Sequence, residues 1–286
     1  MPKAPYTLSE PAHRTSSVVF ASPHSGREYP APFLRASVLD EMAIRSSEDA
    51  FVDVLFGEAP AVGAPLICAN VPRAYVDLNR NADELDPALI EGVKRGAHNP
   101  RVNSGLGVVP RVVAGGRAIY RGKISQKDAQ GRLVQAWHPY HDRLQRLLDE
   151  SHFLFGSAIL IDLHSMPHEA IEGIKRAGAS QADVVLGDRF GAAAHHDVVD
   201  QVEAAFAGVG LTVARNAPFA GAYITQHYGR PARNQHVIQV EIDRGLYMDE
   251  SKIAPNACFD DFRRLMTQVM RDVAEIGRDH AALAAE

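Results

Sequence analysis

Short apolar runs rich in β-branched residues alternate with stretches of helical periodicity along most of the chain. Residues 17–21, 65–69, 158–161, 183–186, 211–214 and 236–242 are brief runs of this kind bounded by turn formers, the pattern of strands buried in a sheet. Helices are expected over residues 33–44, 46–59, 126–153 and 195–206. A closing helix carries Phe259, Phe262, Leu265, Met266, Val269, Met270 and Val273 on one stripe. Ser46 and Asp49 have the spacing of a capping box for the second helix, with Asp in place of Glu. Pro139 should kink or divide the third. Residues 91–107 read as loop, 108–124 as a hairpin turning at Ala114-Gly115-Gly116-Arg117, and 220–229 as an extended segment or loop. Strands alternating with helices predict an α/β fold: one domain over residues 1–286, a mixed, mostly parallel sheet with helices on both faces.

Two of the strands end alike. The first runs into Ser22-Pro23-His24-Ser25-Gly26, and the run at 158–161 continues into Asp162-Leu163-His164-Ser165. Ligands of open α/β sheets bind beyond the carboxyl ends of the strands. Two matched histidines there point to a metal site. A catalytic zinc takes three protein ligands and keeps one position open, so a carboxylate is missing from the pair. Glu28, Glu48, Asp49 and Asp162 are the candidates. Asp162 shares a strand face with His164 and suits a supporting role better than a ligand's.

Composition narrows the class. With 286 residues, 46% of them hydrophobic, the chain can bury a large core, and a net charge of -5 gives no reason to expect nucleic acid. Cys68 and Cys258 make neither a disulfide framework nor a Cys-based zinc motif, which fits a reducing cytoplasm. The first residues do not read as a signal peptide, and no apolar run reaches the roughly 18 residues of a membrane span.

Two further stretches carry chemistry. Asp77-Leu78-Asn79-Arg80 suits anion capture, because guanidinium matches a carboxylate bidentately and Asn79 adds a neutral donor; Arg73 is a second cation nearby. Glu241 interrupts the apolar run Val237-Ile238-Gln239-Val240-Glu241-Ile242. A buried carboxylate is costly unless paired, so Glu241 is either a salt-bridge partner, for instance of Arg244, or a general base. Ser25 has no nucleophile elbow around it, and there is no dinucleotide fingerprint.

Together, Ser-Pro-His-Ser-Gly at 22–26, Asp-Leu-Asn-Arg at 77–80, Asp-Leu-His-Ser at 162–165, Gly-Ala-Tyr-Ile-Thr-Gln-His-Tyr-Gly at 221–229 and Gln-Val-Glu-Ile at 239–242 resemble the N-formylglutamate amidohydrolase family. The resemblance spans about residues 18–248. It implies a zinc-carboxypeptidase-like (phosphorylase/hydrolase-like) fold, related to the aspartoacylase group. It implies one Zn2+ per chain on His24, His164 and Asp49, with Glu48 the alternative third ligand. It further implies Glu241 as general base and Asn79 and Arg80 as the holders of a substrate carboxylate. The expected activity is hydrolysis of an N-formyl or other N-acyl acidic amino acid, in amino-acid catabolism. A short-peptide carboxypeptidase and a non-catalytic small-molecule binder are the competing readings. Ser47-Glu48-Asp49-Ala50 departs from the Asp-Thr-Asp-Trp of better-known members.

Overall fold

The apolar runs become strands. In a computed structural model that describes residues 4–94, 96–172 and 181–278, all six lie in one sheet of seven strands, the added one, Tyr6–Ser9, being a strand that the hydrophobic pattern does not mark. The strands are β1 (Tyr6–Ser9), β2 (Val18–Ser22), β3 (Leu66–Ala69), β4 (Ala158–Met166), β5 (Val184–Gly187), β6 (Val213–Arg215) and β7 (Gln235–Asp243), in the order β1-β3-β2-β4-β7-β5-β6. β2, β4 and β7 are parallel, β5 is antiparallel to β7, and β6 is parallel to β5. This is the expected mixed, mostly parallel sheet. The helices are α1 (Ala31–Ala36), α2 (Glu41–Arg45), α3 (Val52–Leu55), α4 (Pro100–Asn103), α5 (Gln126–Arg132), α6 (His138–Phe155), α7 (Glu169–Glu172), α8 (His196–Gly208), α9 (Tyr223–Tyr228) and α10 (Phe259–Ile276). None of the described helices is long and apolar enough to cross a membrane.

The chain divides into two compact units. One takes Met1–Thr7, Pro23–Ala50 and Cys68–Arg143; the other takes Leu8–Ser22, Phe51–Ile67 and Leu144–Glu286. The second carries the centre of the sheet. All nine residues of β4 are buried, and β4 pairs with β7 from Ala158↔Gln235 to Met166↔Asp243. Burying one of its Ile, Leu or Met side chains is worth about 1.5–3 kcal/mol. α10 turns Phe262, Met266, Val269, Met270 and Val273 inward, as its periodicity requires, while Leu265 lies off the stripe and is exposed.

In the first unit an arginine takes the central place. Arg132 is buried with its guanidinium over the rings of Phe33, Tyr75 and Tyr120, at 5.5, 4.5 and 5.7 Å from their centroids. It donates to Tyr75 O, to Tyr120 Oη and to both carboxylate oxygens of Asp128. The charge is thus buried with partners for its donors, the condition under which burial is tolerable.

Several expectations need correction. The helix foreseen over 33–44 is two, because Ser37 leaves α1 in an extended conformation and Asp40 opens α2 by accepting Ala43 N–H at 2.7 Å. The capping box does not form. Ser46 is the C-terminal cap of α2, its hydroxyl donating to Ala43 O, and α3 begins only after Phe51, at φ 67°. The foreseen hairpin reduces to one antiparallel bridge, Val112↔Ala118, around the turn. The segment 220–229 contains helix α9 rather than an extended strand or loop. β4 does not stop before Asp162, because its pairing with β7 continues to Met166. Pro139 acts as expected: α5 and α6 are joined by a π-helical turn, Leu133–Trp137, whose wider loop accommodates the missing N–H. Arg95, in the segment read as loop, lies outside the described residues.

Candidate metal and catalytic site

His24 lies beyond the end of β2 and is held by local and distant groups of its own unit. Gly26 follows two residues on, at a place where a Cβ would fall 2.0 Å from Val71 O, so only glycine lets the turn pass. The His24 carbonyl accepts the Asp49 N–H at 3.0 Å, which brings the Asp49 side chain alongside; Asp49 Oδ2 is 3.4 Å from His24 Nδ1. On its other side His24 Nε2 donates to Asp77 Oδ1 at 2.7 Å. A carboxylate there fixes the proton on Nε2 and turns the Nδ1 lone pair towards Asp49.

Asp77 is the hub of this half. It also accepts the Asn79 N–H at 2.9 Å and Arg73 Nε at 3.0 Å, with Arg80 Nη2 at 4.0 Å. Burial alone would raise its pKa, but the charges of Arg73 and Arg80 and the hydrogen bond from His24 outweigh it and hold the carboxyl well below its ordinary value. Arg80 is itself buried and anchored, donating from Nε to Leu106 O at 2.9 Å and from Nη1 to Asn79 O at 2.7 Å. Trp137 Nε1 donates to Arg80 O, and the His141 ring holds Leu78 O at 2.9 Å. The guanidinium is fixed by main-chain carbonyls rather than left swinging.

Glu48 and Asp49 separate cleanly. Both oxygens of Glu48 accept from Arg45, at 3.0 and 3.2 Å, and Oε1 also accepts from Tyr29 Oη at 2.7 Å. Burial and the facing Glu48 push the Tyr29 phenol pKa up, so it stays a donor. Glu48 is therefore committed to α2, while Asp49 faces His24.

In the other unit, His164 sits within β4, two residues past the end of the β2–β4 ladder at Ala21↔Asp162. Its Nε2 is 3.1 Å from Asp162 Oδ2, the side chain two positions earlier on the same face. In the β4–β7 ladder His164 is opposite Glu241. Glu241 is 9% exposed and accepts from Gln239 Nε2 at 2.9 Å. Arg244, considered as a salt-bridge partner for it, donates to Ser165 Oγ at 3.1 Å and lies 3.7 Å from Glu250. In α9, Thr225 is buried and His227 is exposed against Tyr223.

Among the described residues, His24, Asp49 and His164 are the one group that could hold a metal ion: all three are buried and their ligand atoms lie within 4.8 Å of one another. Two imidazoles and a carboxylate are the donor set of an open catalytic zinc site, and each imidazole has an acid against its Nε2, Asp77 or Asp162. The residues present therefore fit the ion. Glu28 is not in the group. Asp77 was named in the sequence only as part of an anion-capturing stretch. The signal for its second role was an acid between Val76 and Leu78, the same buried-carboxylate argument that singled out Glu241.

Comparison with known proteins gives a consistent picture. The family model described as N-formylglutamate amidohydrolase matches residues 16–248. N-formylglutamate deformylase of Pseudomonas aeruginosa is 29% identical, over 90% of this chain and 91% of that protein. N-formylglutamate deformylase of Pseudomonas putida is 28% identical, over 82% and 83%. The crystal structure of N-formylglutamate amidohydrolase from Ralstonia eutropha JMP134 superimposes with a TM-score of 0.89 at 36% identity, covering 96% of this chain and 99% of that one.

Proposed function

The chain belongs to the N-formylglutamate amidohydrolase family, and from that premise we propose that it is a zinc-dependent hydrolase of the linear amide in an N-formyl or other N-acyl acidic amino acid, with N-formyl-L-glutamate as the leading substrate. The observation that carries the reading is the buried His24–Asp49–His164 group. One zinc per chain is proposed there, within a single catalytic domain of zinc-carboxypeptidase-like type acting in the cytoplasm.

When bound, zinc supplies a Lewis acid that polarises a carbonyl and acidifies water. The chain's own residues do the rest. Glu241 takes a proton from the attacking water and returns it to the departing amine, so that one amide and one water become a small acid and a free amino acid. Arg80 and Asn79, with Arg73 nearby, hold a substrate carboxylate and set the register of the scissile bond. The two main-chain carbonyls on Arg80 make that contact preorganised.

The test is a hydrolysis panel of N-formyl-L-glutamate, N-acetyl amino acids and dipeptides. The proposal expects the formylated acidic amino acid to be cleaved best. Preference for dipeptides would replace it with a carboxypeptidase, and no turnover of any amide would leave a binding protein. Glu241→Gln should keep zinc and fold while kcat falls roughly 10²-fold or more. A destabilised but fully active variant would remove Glu241 from the mechanism.

A further inference from the structure

Two of the stretches singled out in the sequence, 221–229 and 239–242, meet through one side chain. Ala222 N–H donates to Gln239 Oε1 at 3.0 Å, and Gln239 Nε2 donates to Glu241 Oε1 at 2.9 Å. The orientation of the amide is not ambiguous. A main-chain N–H can only donate, so the oxygen must face Ala222 and the NH2 must face the carboxylate. Gln239 and Glu241 share a face of β7 because strand side chains alternate.

The donor that sets the amide is itself fixed. Gly187 is opposite Gln239 in the β5–β7 ladder, and a Cβ on it would fall 2.7 Å from Ala220 C and Gly221 N. Glycine there lets the chain at 220–222 lie against the sheet, and Gly221 turns it with φ 106°, a conformation that favours glycine. A buried glutamine in an otherwise apolar strand is costly unless its amide is satisfied, and Gln239 is 4% exposed.

We propose that Gln239 is the positioning residue of the reaction: it transmits the fixed geometry of the 220–222 turn to the Glu241 carboxylate and holds one of its oxygens in place. The inference rests on Glu241 being the base. Gln239 touches neither substrate nor metal in this scheme; it acts through Glu241 alone. Proton transfer requires the base within hydrogen-bond reach, and a displacement of about 1 Å can cost roughly 10²-fold.

The experiment uses the zinc-loaded full chain with N-formyl-L-glutamate and four proteins: wild type, Gln239→Leu, Glu241→Gln and the double variant. Gln239→Leu should lower kcat by roughly 10–100-fold, with KM within about threefold and zinc content unchanged. Added to Glu241→Gln, it should cause no further fall, because the group it positions no longer works as a base. Should Gln239→Leu not fold, the unbranched Gln239→Met carries the same comparison. A Gln239 variant with wild-type kcat beside an impaired Glu241→Gln overturns the inference alone. Fold-losses that multiply in the double variant also overturn it. Glu241→Gln with wild-type kcat overturns the base assignment, and the inference falls with it.

Discussion

His24 and His164, the two imidazoles of the proposed zinc site, are held in place by opposite means. His164 is part of a strand whose nine residues are all buried and paired along their length with β7. Its position follows from the ladder. His24 belongs to no strand. It is placed by Asp49 N–H, by Asp77, and by a turn that only Gly26 permits. Asp77 is in turn held by Arg73 and by the Asn79 N–H. One proposed ligand therefore rests on packing and main-chain hydrogen bonds, the other on a network of charges. The second should be more sensitive to single polar substitutions.

The largest effect breaks both halves at once. His24→Ala and His164→Ala should each remove most bound zinc and abolish turnover, read by metal analysis and hydrolysis of N-formyl-L-glutamate. Either variant retaining stoichiometric zinc at full affinity would show that the ligand was wrongly chosen.

Arg80→Lys comes next. It keeps a charge but gives up the fork that bonds Leu106 O and Asn79 O. A loss of roughly 2–3 kcal/mol in kcat/KM is expected on acidic substrates, with little change on neutral ones. Unchanged kinetics on every acidic substrate would remove Arg80 from substrate binding.

The comparison itself is sharpened by a matched pair. Asp77→Asn should weaken zinc affinity by roughly 10–100-fold, the range for a carboxylate behind a ligand histidine. Asp162→Asn should cost less, since β4 already fixes His164 through its ladder. Equal losses in the two variants, measured by competition with a chelator, would dissolve the contrast between a strand-held and a network-held ligand.

The smallest effect concerns stability in the strand-bearing unit. Burial, with His195 and His152 close by, pushes the His236 pKa down to about 4, below its ordinary value of 6.5. The unfolded chain then binds more protons between about pH 6.5 and 4, so this contribution to stability is complete above that window and is lost as pH falls through it. His236→Gln keeps an acceptor for the His195 N–H, which His236 Nδ1 now accepts at 3.3 Å. It should flatten the decline of Tm with acidity, and an unaltered slope would exclude His236 as its source.

The same contrast explains what the sequence revealed. β2, β4 and β7 were legible because burial on both faces forces an apolar run, and Glu241 stood out because it breaks one. His24 and His164 were legible as residues following such runs. The network around His24 was not, because Asp77 is 53 positions away and no local pattern links them. Ser46 and Asp49 had the right spacing for a cap, but each was taken by another partner, Ala43 O and His24. α9 was missed because its flanking glycines read as loop, whereas Gly221 serves as the turn into the helix. Distant partners, absent from any window of sequence, settled Asp77 and Asp49, while Ser46 and Gly221 were settled by local backbone geometry that the residue pattern leaves open.

The central claim is that His24, Asp49 and His164 hold a zinc ion required for amide hydrolysis. Its most direct test is to purify the protein, measure zinc and N-formyl-L-glutamate hydrolysis, strip the metal with a chelator, and restore it. The account predicts about one zinc per chain, activity lost in proportion to the zinc removed, and recovery on adding zinc back. Full activity in the metal-stripped, folded protein would contradict it.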